Sequence, residues 1–261
     1  MNLDCKEVFE IIRQKLYIKC PFSLIRFGDG EARTFSFLDD KDSAQFVMKR
    51  QFNKPLSELD ILTIQQYMIH AYKSADIVGL PVEIHLKDDM DFYWKRSHEI
   101  FNKNVIRDQE VVHGEGNDLT CSIDIHTELL TGDYLTALLQ DRDELFYVSG
   151  RNLDQDFKRR YGIREVNSFI ISPEMKFEAN KDKPDHWPNQ FEDMRSWMQE
   201  IDCKGKLCLV GGGILGKVYT HWFKHQGGIA IDLGNVFDKW AGKVTRGPKR
   251  GTDSWDDTYK L

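Results

Sequence analysis

Apolar positions recur along this chain in two periods, one helical and one extended. Val8, Ile11, Ile12 and Leu16 are spaced as one face of a helix over residues 4–17. "FSLIRF" is a short, mostly apolar run closed by Gly28, which predicts a buried strand, and "EARTFSFL" after it predicts a helix. "SELDILTIQQYMIHAYKSA" repeats Leu59, Leu62, Ile64, Tyr67 and Met68 at helical spacing. "DIVGLP" predicts the second strand, two further helices follow at about 91–103 and 127–140, and "LFYVSG" predicts the third strand. "REVNSFIIS" is a fourth strand, then comes a polar, loop-rich segment near 172–190, then a helix over "FEDMRSWMQEID". "KLCLVGGG" and "GIAIDLG" are the fifth and sixth strands, separated by the helix "ILGKVYTHWFKHQ".

Short apolar strands alternating with helices predict an α/β fold, a Rossmann-like and mostly parallel sheet with helices on both faces. One domain over residues 1–261 is expected, ending in a basic tail at 243–261. In such sheets ligands bind beyond the carboxyl ends of the strands. Four of the six expected strands end in glycine-containing turns, at Gly28, Gly79, Gly150 and Gly211, so the chemistry is expected there.

Composition narrows the picture by exclusion. The 36 Lys and Arg against 42 Asp and Glu leave a net charge of −6, which gives no support for bulk nucleic-acid binding. Five cysteines without a CxxC spacing argue against a disulfide framework and a zinc knuckle. The charged opening "MNLDCKEVFEIIRQKL" has no apolar signal core, and no run approaches the roughly 20 apolar residues of a membrane span. The expected location is the cytoplasm, with the tail residues Lys243, Arg246, Lys249 and Arg250 available for anionic lipid at the inner face of the membrane or for a diphosphate.

The turn "LVGGGILGK" has Gly211, Gly213 and Gly216 in GxGxxG spacing between a strand and a helix, and Asp232 closes the next strand. This is the pattern of a dinucleotide fingerprint, with the helix N-terminus on phosphate and the acid on ribose. It closes the chain rather than opening it, however, which counts against an NAD- or S-adenosylmethionine-dependent enzyme. Glycines that only permit tight strand–helix packing are the other reading.

"RFGDGE" sets Asp29 and Glu31 around Gly30 at a strand end. If the chain stays extended past Phe27, both carboxylates point to one side and suit Mg²⁺ or Mn²⁺, with Arg26 near the phosphates. If a helix starts there, Asp29 is an N-cap and Glu31 a first-turn acid. Spacing leaves both open.

"FSLIRFGDGE" closely resembles the signature of the bacterial GT-D-type glycosyltransferases, whose hallmark is a DxE motif at such a strand end. "GGGILGKVYTHWFKHQGGIAIDLGNVFDKWAGK" is similar to that family's closing stretch. The resemblance implies a metal-dependent transfer, with Mn²⁺ or Mg²⁺, of a sugar from a nucleoside-diphosphate donor, typically a UDP-sugar. It implies Asp29 and Glu31 as the metal-binding, catalytic pair. Position at strand ends and in the glycine turn, read beside the resemblance, gives the expected nucleotide side as Arg26, Gly28, Gly30, Arg151, Asn152, Gly211, Gly212, Gly213, Lys217 and Asp232. The acceptor would be a glycan, lipid-linked glycan or glycoprotein in bacterial surface polysaccharide or adhesin biosynthesis. An inverting reaction needs a base, for which Asp124, His126, Glu174 and Asp238 are candidates. Trp187 in "DKPDHWPNQ" is a candidate acceptor face. "DFYWK" is expected to be an amphipathic helix in preference to a sugar platform. A non-catalytic nucleotide-sensing module, with the carboxylates as caps, is the third reading.

Overall fold

Eight strands form one sheet in this computed structural model, which describes residues 1–87, 91–106, 119–173, 185–243 and 261. They are β1 (Asn2–Leu3), β2 (Phe22–Arg26), β3 (Ile77–Leu80), β4 (Thr120–Ser122), β5 (Glu144–Ser149), β6 (Glu165–Ile170), β7 (Leu207–Gly211) and β8 (Ile229–Asp232). Their order across the sheet is β1-β4-β3-β2-β8-β7-β5-β6, and every neighbouring pair is parallel.

The all-parallel arrangement requires both faces to be covered, and the strand period of two divides the side chains accordingly. Leu24, Ile77, Tyr147, Leu209 and Ile231 enter one core; Ile25, Val78, Val148, Val210 and Ala230 enter the other. Helices Glu58–Ser74, Phe191–Glu200 and Gly213–His225 fill the second core through residues such as Ile64, Met194 and Leu215. Helices Cys5–Tyr17, Ile125–Thr131, Tyr134–Leu139, Asp154–Tyr161 and Val236–Trp240 cover the opposite face.

The exits from the central strands alternate between these faces. After β2 the chain enters helix Asp29–Phe35 on the Ile25 side, and after β8 it enters Val236–Trp240 on the Leu24 side. After β7 it returns to the first side, and after β5 it crosses to the second. Neighbouring strands that send their chains apart leave crevices at their carboxyl ends, which is where a ligand fits in an open α/β sheet.

Four local expectations change. The helix expected at about 91–103 is two short ones, Phe92–Lys95 and Ser97–Phe101, which meet at Arg96. β1 and β4 are two and three residues long, too short to show a period, so the sequence reveals six strands. Helix Lys41–Phe52 is not legible in its polar segment, yet Ala44, Val47, Met48, Gln51 and Phe52 are buried at helical spacing. The single helix expected at 127–140 is two, broken where Asp133 takes a positive φ of 58° after Gly132.

Candidate active site at the carboxyl ends of the central strands

The turn after β2 resolves the two readings of "FGDGE" in local geometry. Gly28 is the N-cap of helix Asp29–Phe35, and its N–H donates to Glu31 Oε2 at 2.9 Å. The extended backbone therefore ends at Gly28 and the helix begins at Asp29, so Asp29 and Glu31 are not on an extended segment. Asp29 is the first helical residue rather than the N-cap, and Glu31, three past the cap, closes a capping-box bond. Both nevertheless line a cavity of about 580 Å³, within the roughly 300–1,000 Å³ of small-molecule sites. The Asp29 side chain is 32% exposed, whereas Glu31 is buried.

A buried chain of charges holds the floor of this cavity. Glu31 Oε1 lies 2.8 Å from Lys217 Nζ, which lies 3.1 Å from Asp232 Oδ2. Asp232 Oδ1 lies 3.3 Å from Arg26 Nη2, and the Asp232 carbonyl accepts from Arg26 Nε at 3.2 Å. Arg26 Nη1 is 2.9 Å from His126 Nδ1, and His126 Nε2 is 2.9 Å from Asn235 Oδ1. Because Arg26 can only donate, His126 Nδ1 accepts, and the ring proton sits on Nε2 toward Asn235.

Burial alone would push the Asp232 carboxyl up, but Arg26 and Lys217 outweigh it and bring its pKa down to about 2. Burial, assisted by Arg26, holds His126 well below the usual histidine range. Two carboxylates, two cations and a neutral imidazole sum to zero charge. This network cannot by itself neutralise a diphosphate.

Most of the residues expected from sequence meet at this cavity. Arg26, Gly28, Asp29, Gly30, Glu31, Arg151, Gly211, Gly212, Gly213 and Lys217 all line it. Two do not. Asn152 is exposed and accepts from the Asp154 N–H at 3.2 Å, away from the lining. Asp232 is fully buried beneath the floor, bonded to Arg26, Lys217 and the Gly234 N–H, so it does not offer its carboxylate to a ribose. That removes the acid on which the dinucleotide reading of the glycine turn depends.

The glycines have packing reasons of their own. A Cβ at Gly211 would fall 2.5 Å from the Phe237 ring, and one at Gly212 would fall 2.9 Å from Gly216 Cα. Gly213 has a φ of +57°, and a Cβ there would meet Gln51 Oε1 at 2.1 Å. Gln51 Oε1 also accepts from the Ile214 N–H at 3.3 Å in the first turn of helix Gly213–His225.

Of the base candidates, His126 has its lone pair occupied by Arg26, and Asp238 Oδ1 accepts from Arg151 Nε at 2.8 Å. Asp124 lines the cavity with its side chain 49% exposed. Glu174 lies outside the described residues. Trp187 is not an acceptor face: it is buried, its ring tilted against Phe191 at 4.8 Å between centroids, with its N–H donating to Asp60. Sequence reasoning missed Arg50, which lines the cavity and lies 5.4 Å from the Phe46 ring, and it missed His85 and Lys239. A polar helix, a short turn and a tail-side lysine carry no motif; only the fold brings them here. Among the described residues no helix is long and apolar enough to cross a membrane.

No curated protein matches the chain. Three solved structures are similar over its length. One is a selenomethionine-substituted domain of unknown function 1792, with TM-score 0.54 and 17% identity, covering 98% of this chain and 87% of that one. The second is described as that same highly conserved domain with a distinct glycosyltransferase fold, with TM-score 0.53, 18% identity and coverages of 98% and 87%. The third is described as a new glycosyltransferase (DUF1792) from Streptococcus sanguinis, with TM-score 0.55, 16% identity and coverages of 98% and 90%. At these identities the likeness establishes the fold. The family model for a "GT-D fold-like domain" matches residues 3–171, which take in the β2 turn with Asp29 and Glu31 and stop short of the glycine turn after β7. The chain belongs to this GT-D fold-like family, the glycosyltransferase class that its sequence resembles.

Proposed function

We propose that this glycosyltransferase takes its sugar from a UDP-linked donor, with Mn²⁺ or Mg²⁺ between the donor diphosphate and the carboxylates of Asp29 and Glu31. The observation that supports the reading most is the charge balance of the site. Lys217 and Arg26 are already compensated by Glu31 and Asp232, so a bound diphosphate brings negative charge that these residues do not offset. The donor set fits a hard cation held jointly with its ligand: carboxylate oxygens, with the remaining positions left for water and phosphate. It does not fit a closed protein cage, because the described residues contain no group of three or more His, Cys, Asp or Glu placed to hold a metal.

Bound there, the ion would stabilise the charge that develops on the leaving diphosphate. The protein's own residues have distinct tasks. Lys217 fixes the Glu31 carboxylate, and Gly28 N–H sets its second oxygen. Arg26 is immobilised by Asp232 and His126, so its position is set before any ligand arrives. The N-terminus of helix Gly213–His225 opens on the cavity and adds partial positive charge for the donor phosphates. A glycan, lipid-linked glycan or glycoprotein of bacterial surface polysaccharide or adhesin assembly is the acceptor in this reading. Its setting is the cytoplasmic face of the membrane; the tail residues Arg246, Lys249 and Arg250 that would touch lipid lie outside the described residues.

The test is hydrolysis of a panel of UDP-sugars by the purified chain with Mn²⁺ and with excess chelator. Release of UDP from one donor, abolished by chelator and restored by Mn²⁺, is the expected result. Metal-independent release, or turnover only of a donor lacking a diphosphate, contradicts the reading.

A further inference from the structure

One wall of the cavity has a chemistry that the donor side does not use. His85, Trp94 and Asp124 come from the segments after β3 and β4 and meet beside Gly28. The His85 and Trp94 rings stack at 5.0 Å between centroids with 24° between planes. Val82 N–H donates to His85 Nδ1 at 3.3 Å, so the ring proton sits on Nε2 and points at Asp124 Oδ2, 3.1 Å away. The imidazole is fixed on both nitrogens. It acts as a backing plate for the half-buried indole and as a positioning group for the carboxylate.

The geometry points to this wall as a pyranose-binding acceptor subsite, in which Trp94 stacks against the C–H face of a sugar ring and Asp124 accepts from its hydroxyls. This rests on the donor reading above for the word acceptor and for the place of the diphosphate. An aromatic face carries negative quadrupole and attracts the polarised C–H groups of a pyranose. A carboxylate beside it is an acceptor only. Vicinal hydroxyls present two donors to it, whereas uracil flanks its single N–H with two carbonyl oxygens that a carboxylate repels. A phosphate is repelled outright.

Position supports the same assignment. A Cβ at Gly28 would sit 3.4 Å from the Trp94 ring, so the wall abuts the turn that carries Asp29. A ring seated on Trp94 is therefore beside the place where the donor diphosphate ends. Gly28 is needed for that close approach: the same Cβ would lie 2.9 Å from Ile123 Cδ1.

The experiment uses the full chain and two probes, UDP and a set of methyl pyranosides (glucoside, galactoside and N-acetylglucosaminide). Pyranoside binding is followed by saturation-transfer NMR with and without UDP, and UDP binding by calorimetry, all with Mg²⁺ present. The variants are Trp94→Ala, Trp94→Phe and Asp124→Asn, each checked for an unchanged Tm. We expect at least one pyranoside to bind the wild type. Trp94→Ala should weaken it about tenfold or more while UDP affinity stays within about twofold, and Trp94→Phe should restore most of the loss. Asp124→Asn should weaken the pyranoside and leave UDP unchanged. If no pyranoside binds the wild type, or if Trp94→Ala weakens UDP and spares the pyranoside, the subsite assignment is overturned and the wall belongs to the nucleobase. Loss of UDP binding in the wild type, with Trp94-dependent pyranoside binding retained, overturns the donor reading and leaves the sugar subsite standing.

Discussion

Asp232 shows most clearly how a residue's setting changes its role. As a strand-end acid behind a glycine turn it reads as a ribose contact; in the fold it is fully buried and joins Arg26 to Lys217. Its pKa of about 2 lies below the ordinary 3.8, so its contribution to stability is complete above about pH 4 and is lost as pH falls toward 2. That contribution is about 2 kcal/mol from the size of the shift. Asp232→Asn should cost more, about 3 kcal/mol or above, because it strips the shared counter-charge from two cations that sit in or beneath the floor. Urea unfolding of the variant at pH 7 measures this; a change below about 0.5 kcal/mol would show that the network is dispensable. At this scale the sequence identified Asp29, Glu31, Arg26 and Lys217 as a group. It could not show that Glu31 would be fastened to Lys217, because nothing local in either segment encodes a contact between chain ends.

Among elements, long apolar strands and capped helices were legible because burial writes a period into them. What escaped were elements whose identity depends on neighbours: β1 and β4, paired in a ladder at the sheet edge, and helix Lys41–Phe52, which carries Gln51 to the glycine turn. Gly213→Ala tests that junction. A residue at φ +57° with its Cβ on Gln51 should lose at least about 1 kcal/mol of stability, read as a fall in the urea midpoint. An unchanged midpoint would mean that the turn relaxes freely. The turn His186–Gln190 supplies a second test at this scale. His186 is buried, its Nε2 lies 2.7 Å from the Tyr219 hydroxyl, and burial pulls its pKa from 6.5 to about 3. Below about pH 6.5 the unfolded chain binds a proton that the folded chain refuses until about pH 3. Stability should therefore fall across that window by about 1.4 kcal/mol per pH unit for this group. His186→Gln, which does not titrate, should flatten the slope by that amount; an unaltered slope places the acid sensitivity elsewhere.

For the whole molecule, the alternation of exits from β2, β8, β7 and β5 is what gathers four separate turns into one cavity. The parallel α/β class was readable from the order of strands and helices, but the strand order was not, since periodicity says which segments pair with some neighbour and never which one. The same limit explains Trp187 and Trp94. Both sit in aromatic, charged stretches; one is packed into the core and the other lines the cavity, a difference set by tertiary contact alone. In the proposed function a neutral floor network leaves the donor diphosphate to a divalent ion at Asp29 and Glu31. Calorimetric titration of UDP into wild type and Asp29→Ala, each with Mn²⁺ and then with chelator, decides this, because the partly exposed Asp29 can be removed without breaking the Lys217 network. The wild type should bind only with Mn²⁺, and Asp29→Ala should lose about tenfold or more in affinity. Equal UDP affinity in chelator, or an Asp29→Ala variant that binds UDP and Mn²⁺ as the wild type does, would contradict it.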